Sequence, residues 1–355
     1  MKVLAADVGF GTTDILVYEP DVPIENCAKL VIPSRTQTVA REINRASNCG
    51  IAVAMYGATM GGGASGLALK EHLKRGLQFF SSPAAALTFN DNLGEVAGWG
   101  VTIVDDPVSV APRGSVIIES GDLDIPALKL ALTQLGIGVD FTGIAVAVQD
   151  HGFSPEASNR RNRFRLWRET LAQDSHLLRL AYERGDIPAA YTRMLATASL
   201  LPEYDRVVLM DTGPAALMGA MIPDAHAAGT GINLQQRLVV NIGNGHTLMA
   251  IVENERIKGL LEHHTSLLDR EKLESMIMRF INNEISEAEV YDEGGHGCAP
   301  PGRTYRIEDF EPVIVTGPKR DMARGGELKL NFAAPHGDMM LAGCFGLIEA
   351  WKSKM

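Results

Sequence analysis

The sequence is poor in cysteine. Cys27, Cys49, Cys298 and Cys344 are the four in 355 residues, and no two stand close enough for a Cys-x-x-Cys pair. That excludes a disulfide framework and suits a reduced, cytoplasmic chain. Positive charge is also short, 33 Lys and Arg against 43 Asp and Glu, for a formal net charge of -10. An acidic chain of this kind does not grip nucleic acid through its phosphates. A small anion bound locally by backbone N–H groups is still compatible with it. No apolar run approaches the ~18 residues of a membrane-spanning helix, so no membrane partner is expected. The opening "MKVLAADVGFG" meets an acid at Asp7 and lacks the apolar core and cleavage site of a signal peptide.

Hydrophobic residues make up 46% and charged residues 21%, ordinary values for a globular protein. The length exceeds what one compact core holds and predicts two lobes. Apolar runs read as strands at 2–6, 14–19, 30–33, 50–57, 100–106, 142–152, 205–210, 237–264 (a hairpin with "NER" at its tip) and 312–318. Helical patterns follow at 67–80, through most of 155–200, from Pro214 onward, at 266–285 and at 337–352. "AHAAGTGIN" (225–233) reads as a hinge or linker, and 290–309 as a loop. Strands alternating with helices predict α/β layers.

The first run, "LAADVGFGTTDILVYE" (4–19), has an echo in "LVVNIGNGHTLMAIVE" (238–253). At a constant offset Asp7 faces Asn241, Gly9 faces Gly243, Gly11 faces Gly245, Thr13 faces Thr247 and Glu19 faces Glu253. Gly-rich turns are common in hairpins, and one copy leaves the choice between a plain turn and a phosphate cradle open. A turn alone does not need the same acid-x-Gly-x-Gly-x-Thr order twice. Two lobes that each present a hairpin to one ligand do. Glycines let backbone N–H groups approach an oxyanion, and hydroxyls add donors. An aspartate at the head of the loop can hold a hydrated Mg²⁺.

In this order the motifs resemble the actin-like ATPase superfamily of sugar kinases, heat-shock chaperone ATPases and actin. "ADVGFGTTDILVYE" looks like its first phosphate motif and "VVNIGNGHTLMAIVENERI" like its second. "DTGPAALMGAMI" resembles the connecting helix, "VIVTGPKRDMA" stands where the adenosine motif should be, and "GDMMLAGCFGLIEAW" resembles the closing helix. The resemblance implies α/β architecture, with two ribonuclease H-like lobes around a nucleotide cleft. The first lobe is expected over 1–225 with an inserted α/β segment at about 40–135. The second is expected over 226–355, its final helix 338–352 packing back near the cleft. The whole chain is also similar to an uncharacterised family labelled as a pyruvate formate-lyase activating enzyme, on "YGATMGGGASGLALKEHL" and "AVQDHGFSPEASNRRNRFR". A radical-SAM activase needs Cys-x-x-x-Cys-x-x-Cys, which these four cysteines do not supply.

The implied ligands are ATP and Mg²⁺. The implied contacts are Asp7, Gly9, Gly11, Thr12 and Thr13 from the first motif. Asn241, Gly243, Asn244, Gly245, His246 and Thr247 come from the second, and Gly317 and Pro318 from the third. Asn241 carries no charge where the superfamily has an aspartate, so the metal is expected on Asp7. Pro318 replaces a usual second glycine. Asp150 ends a strand that points into the cleft in the resembled fold, and is either a base or a cap for the next turn. Asp211 is open to the same two readings. Arg160, Arg161, Arg163, Arg165 and Arg168 read as a solvated helix face.

His263, His264, His296 and Cys298 are soft donors whose spacing matches no standard zinc pattern. "GATMGGGASG" (57–66) lacks the G-x-G-x-x-G order and is either a flexible turn, a nucleotide loop or a wall of an acceptor pocket. Met339 and Met340 read as core packing. Together these imply an ATP-binding protein, a Mg-dependent phosphotransferase or ATPase on an unknown small-molecule or protein acceptor. The alternatives are an ATP-gated activator of a partner enzyme and a nucleotide-binding module without turnover.

Overall fold

The first two apolar runs fold as an antiparallel pair, Val3–Val8 against Thr12–Tyr18. In the computed structural model, which describes residues 1–223 and 235–354, this pair starts a six-stranded sheet. Ala28–Pro33 adds antiparallel to the second strand. Gly143–Val148 lies parallel on the free side of the first, followed by Val207–Met210 in parallel and Ala181–Glu183 at the edge. Gly143–Val148 is buried along its whole length, which is why it reads as an unbroken apolar run rather than an alternating one.

The second half repeats this plan. Gln236–Ile242 pairs antiparallel with His246–Glu253, which pairs antiparallel with Arg256–His264. Val313–Thr316 lies parallel on the other side of Gln236–Ile242, with Leu330–Phe332 parallel beyond it. Gly297–Ala299 forms the far edge. Leaving aside the short edge strands Ala181–Glu183 and Gly297–Ala299, both sheets therefore run third, second, first, fourth, fifth with the same strand senses. This is the ribonuclease H-like order, present twice, and it defines the actin-like ATPase fold.

A separate parallel sheet, ordered Val101–Ile103, Phe79–Ser81, Val53–Gly57, Val116–Ser120, lies in the chain between the third and fourth strands of the first sheet. Its core is its own: Val53, Met55, Phe79, Val101 and Ile118 pack with the helix Arg35–Cys49.

Two helices tie the large sheets together. Thr212–Ala220 and Ala342–Ser353 cross at glycines. A Cβ on Gly219 would stand 1.8 Å from the Ala342 carbonyl oxygen, and one on Gly346 would stand 2.0 Å from that of Ala215. Bare backbone at both positions lets the helices approach this closely. Around them one apolar cluster joins Ala5 and Val208 of the first sheet to Val239 and Ile314 of the second through Leu217 and Leu347.

Several elements differ from the sequence expectation. The helix expected over 67–80 stops at Lys74, because Gly76 turns at φ +72 and Phe79–Ser81 enters the third sheet. Within 155–200 the helices are Asn159–Gln173 and Thr192–Ser199, separated by an edge strand. The expected loop 290–309 holds the end of the helix Glu287–Asp292 and the strand Gly297–Ala299. The final helix starts at Ala342. The linker expected at 225–233 lies outside the described residues. Among the described residues no helix is long and apolar enough to cross a membrane.

Candidate phosphate cleft and its neighbours

The two glycine-rich tips have the same geometry. Gly9 N–H donates to the Thr12 carbonyl at 2.9 Å, and Gly243 N–H donates to the His246 carbonyl at 2.9 Å. Val8 pairs with Thr13 and Ile242 with Thr247, in the same register. In each lobe the next strand ends by donating a backbone N–H back to the tip: Ser34 to the Gly11 carbonyl at 3.2 Å, Thr265 to the Gly245 carbonyl at 2.9 Å. The tips face each other across one cleft. A Cβ on Gly11 would stand 2.9 Å from Asn244 Nδ2, and one on Gly245 would stand 3.6 Å from Phe10 Cβ.

Most of the residues singled out in the sequence meet here. Asp7, Gly9 and Thr12 line the cleft from the first lobe. Asn241, Gly243, Asn244, Gly245 and His246 line it from the second, with Gly317 and Pro318 at one end. Gly317 sits at φ +97, and a Cβ there would meet the Ile242 carbonyl oxygen at 2.4 Å, so this loop requires a glycine. Thr13 and Thr247 do not face the cleft. Period-two alternation turns both inward, and Thr247 Oγ1 is bonded to Thr265 Oγ1 at 3.0 Å. Met339 and Met340, expected in the core, line the cleft, and Met340 also packs against the core that joins the two large sheets.

Sequence comparison of the tips missed Asp14. It stands directly across the strand pair from Asp7, where the second copy pairs Asn241 with Leu248. The first lobe thus carries two facing acids and the second none. Burial, then the nearby Asp14 and Asp211 carboxylates, push Asp7 well above the ordinary carboxylate range. Burial raises Asp14 to about 7. Asp7 Oδ1 and Asp14 Oδ1 are buried without hydrogen-bond partners. The closing helix leaves no room for another group behind Asp7, since a Cβ on Gly343 would stand 1.9 Å from Asp7 Oδ2. Two buried acids with orphaned oxygens form a donor set suited to a hard divalent cation, so these residues fit Mg²⁺. A charged residue inside the buried strand "TTDILVY" was the available signal for Asp14.

Arg163, expected on a solvated helix face, is buried to 1% exposure. Its Nη1 and Nη2 donate to Asp211 at 2.5 and 2.7 Å, and its Nε and Nη2 to Glu262 at 2.8 and 3.2 Å. Nη1 also donates to the Asp150 carbonyl at 2.8 Å, so every part of the guanidinium fork is used. Burial works against its charge, but Asp211 and Glu262 outweigh that and hold its pKa above the usual value. The other named arginines differ: Arg165 and Arg168 are half exposed and bond Glu169 and Glu287.

Asp211 caps the helix Thr212–Ala220 through Gly213 N–H at 3.1 Å and accepts Asp150 N–H at 3.0 Å. With Arg163 on both oxygens its carboxylate is fully engaged. The arrangement is that of a cap and ion-pair partner, not of a free base. Asp150 accepts the N–H groups of Gly152 and Met194, both at 2.8 Å, and burial raises its pKa to about 6. It lines a second pocket of about 200 Å³ together with Gly61, Gly62 and Arg193. Gln149 lines both this pocket and the phosphate cleft.

The 57–66 loop is a rigid wall of that second pocket. Ala58 N–H donates to the Ser120 carbonyl, Met60 N–H to Thr88 Oγ1 and Gly61 N–H to Asp122 Oδ1. Asp122 in turn pairs with Arg193 at 2.7 Å. These N–H groups face protein, which does not fit a dinucleotide loop.

The sequence-predicted soft donors separate by strand alternation. His263 faces away, beside Leu267 and Glu293. Cys298, paired across from Leu261, joins the apolar core on that side. His264 and His296 come together with His246 of the second tip, their ligand atoms within 4.8 Å of one another.

Fold and cleft together define a protein of the actin-like ATPase fold, with a duplicated glycine-tipped hairpin. The chain belongs to the family DUF1786, described as "Putative pyruvate format-lyase activating enzyme", whose model matches residues 60–322. Among the described residues no three cysteines gather. Cys27 and Cys344 lie in one core and Cys298, at 1% exposure, in another.

Comparison with curated protein sequences finds no match. Similar solved structures include an activator of 2-hydroxyisocaproyl-CoA dehydratase from Clostridium difficile with bound ADPNP. It is 12% identical, with TM-score 0.35, covering 100% of this chain and 97% of that one. Another is "a putative N-acetylmannosamine kinase" from Listeria monocytogenes, 12% identical, TM-score 0.37, covering 100% and 99%. A third is ethanolamine utilization protein EutJ from Carboxydothermus hydrogenoformans, 10% identical, TM-score 0.26, covering 98% and 89%. The fold assignment rests on the strand order and repeated register rather than on these scores.

Proposed function

We propose that the chain binds Mg-ATP between the two tips and transfers the terminal phosphoryl group to water or to an acceptor in the glycine-loop pocket. The observation that carries this reading is the repeated turn, Gly9 to Thr12 and Gly243 to His246, facing itself across one cleft beside two acids with orphaned oxygens. In this reading the lobes comprise 1–225 and 226–355, with about 40–135 inserted in the first.

Backbone N–H groups of the tips cradle the phosphates, and Gly317 lets the nucleoside approach the backbone closely. Asp7 and Asp14 hold the metal. When bound, Mg²⁺ supplies charge neutralisation on phosphoryl oxygens. Gln149 stands between nucleotide and acceptor. Asp150, with its pKa raised toward working pH, takes the proton of the acceptor hydroxyl or water. The cleft holds about 110 Å³, whereas small-molecule sites span roughly 300–1,000 Å³, so entry of ATP requires the tips to part.

One observation favours a second reading, a nucleotide-gated activator of a partner enzyme. Arg163 ties Asp211 to Glu262 across the two halves of the chain, so lobe opening strains a buried ion pair and closure itself can be an output. A melting-temperature panel with Mg-nucleotides, followed by phosphate-release assays, separates the readings. Absence of a shift with every nucleotide sinks both. A shift without turnover leaves binding or gating. Turnover lost in Asp150→Asn supports transfer.

A further inference from the structure

The imidazoles gathered behind the second tip are not used by the nucleotide reading, which takes only backbone N–H groups from that tip. His246, His264 and His296 stack around one point, with ring centroids 4.6 to 4.8 Å apart in all three pairs. They come from three places in the chain: the second strand of the repeat, the end of the third, and the turn before Gly297–Ala299. His151 stacks on His296 at 5.4 Å from the pocket side. Four packed imidazoles gain little from one another as apolar groups, and His296 Nδ1 is buried without a hydrogen-bond partner.

We propose that His246, His264 and His296 form a binding site for a divalent transition metal of the zinc class, at the junction of the phosphate cleft and the glycine-loop pocket. Three imidazoles are a donor set for zinc, copper, iron or nickel rather than for magnesium. Nitrogens of a tetrahedral zinc site stand about 3.4 Å apart, from metal–nitrogen bonds of about 2.05 Å. The three ligand atoms here lie within 4.8 Å of one another, so small side-chain rotations close the site.

A carboxylate is already placed behind one ligand. Glu262 Oε2 lies 2.9 Å from His296 Nδ1 but off the line of a hydrogen bond, and a turn of the ring makes that bond and leaves Nε2 for the metal. Carboxylate–histidine–metal relays of this kind fix the tautomer and raise ligand basicity.

With three protein ligands a fourth position stays open for an oxygen, from water or from a phosphate. His246 lines the cleft and His151 lines the neighbouring pocket, so the open position lies between the two. The inference is independent of the nucleotide reading, because metal binding is read directly.

The test uses the full chain, stripped with chelator and titrated with Co²⁺. With excess Mg²⁺ present to occupy Asp7 and Asp14, the expected result is one Co²⁺ per chain with visible ligand-field bands, displaced by Zn²⁺. A rise in melting temperature with Zn²⁺ should accompany it. His264→Ala and the milder His264→Gln should lose the bands and the shift, while His263→Ala, on the opposite face, keeps both. Circular dichroism confirms that each variant is folded. A wild-type chain that binds no Co²⁺, or bands that survive in His264→Gln and His296→Gln together, would overturn the proposal.

Discussion

Arg163 Nε donates to Glu262 Oε2 across 2.8 Å, and the same guanidinium holds Asp211 on its other edge. One side chain from the helix Asn159–Gln173 thereby joins the end of a first-sheet strand to the third strand of the second sheet. Removing one partner of a buried pair leaves an uncompensated charge, at a cost of about 3–5 kcal/mol. Glu262→Ala and Arg163→Ala should each lower stability by that order in chemical denaturation, whereas Arg165→Ala, an exposed i,i+4 pair with Glu169, should change it by less than about 1 kcal/mol. Equal effects would mean that the buried bridge is not what holds the halves together.

The glycines at the helix crossing are a second lever. Gly219→Ala and Gly346→Ala place a methyl against the carbonyls of Ala342 and Ala215. Overpacking of this kind costs roughly 1–3 kcal/mol and sometimes more. Both variants should melt earlier than Gly185→Ala, which meets nothing within 4 Å.

Asp14→Asn should show an opposite sign in two measurements. Its carboxylate is raised to about 7 by burial and faces Asp7, so neutralising it should raise the melting temperature without magnesium. The extra stabilisation from Mg-ATP should shrink at the same time. A variant that keeps the full Mg-ATP shift would remove Asp14 from the metal site.

Asp150 sets a pH dependence. Its carboxyl titrates at about 6 in the folded protein against 3.8 ordinarily. Below the lower value both states hold the proton. Between the two the unfolded chain releases it and the folded chain keeps it, so stability falls as pH rises from about 4 to 6, by up to about 3 kcal/mol. The slope over this range should lessen in Asp150→Asn, with the remainder carried by Asp7 and Asp14, which are raised in the same sense. An unchanged slope would show that another group carries the effect.

The duplicated hairpin was legible in the sequence because its determinants are local. Two glycines and an alternating apolar pattern fix a turn and a register, and a constant offset exposes the repeat. The same locality made Asp7, the glycines and Gly317 readable as cleft residues. Asp14 was harder, since its meaning comes from facing Asp7 across the strand pair. Thr13 and Thr247 misled because composition does not say which way a strand residue points.

The remaining features were settled by tertiary contact. A run of arginines reads as a solvated face until one of them meets Asp211 and Glu262, far away in sequence. Strand alternation placed His264 toward His246 and His296 and turned His263 and Cys298 away. The sequence by itself determined the repeated β-hairpin unit and its glycine-rich tips, because turn chemistry and hydrophobic period act over a few residues. Only the tertiary structure decided the buried Arg163 bridge, the Asp7–Asp14 pair and the histidine cluster, because burial and charge pairing depend on which distant strands end side by side.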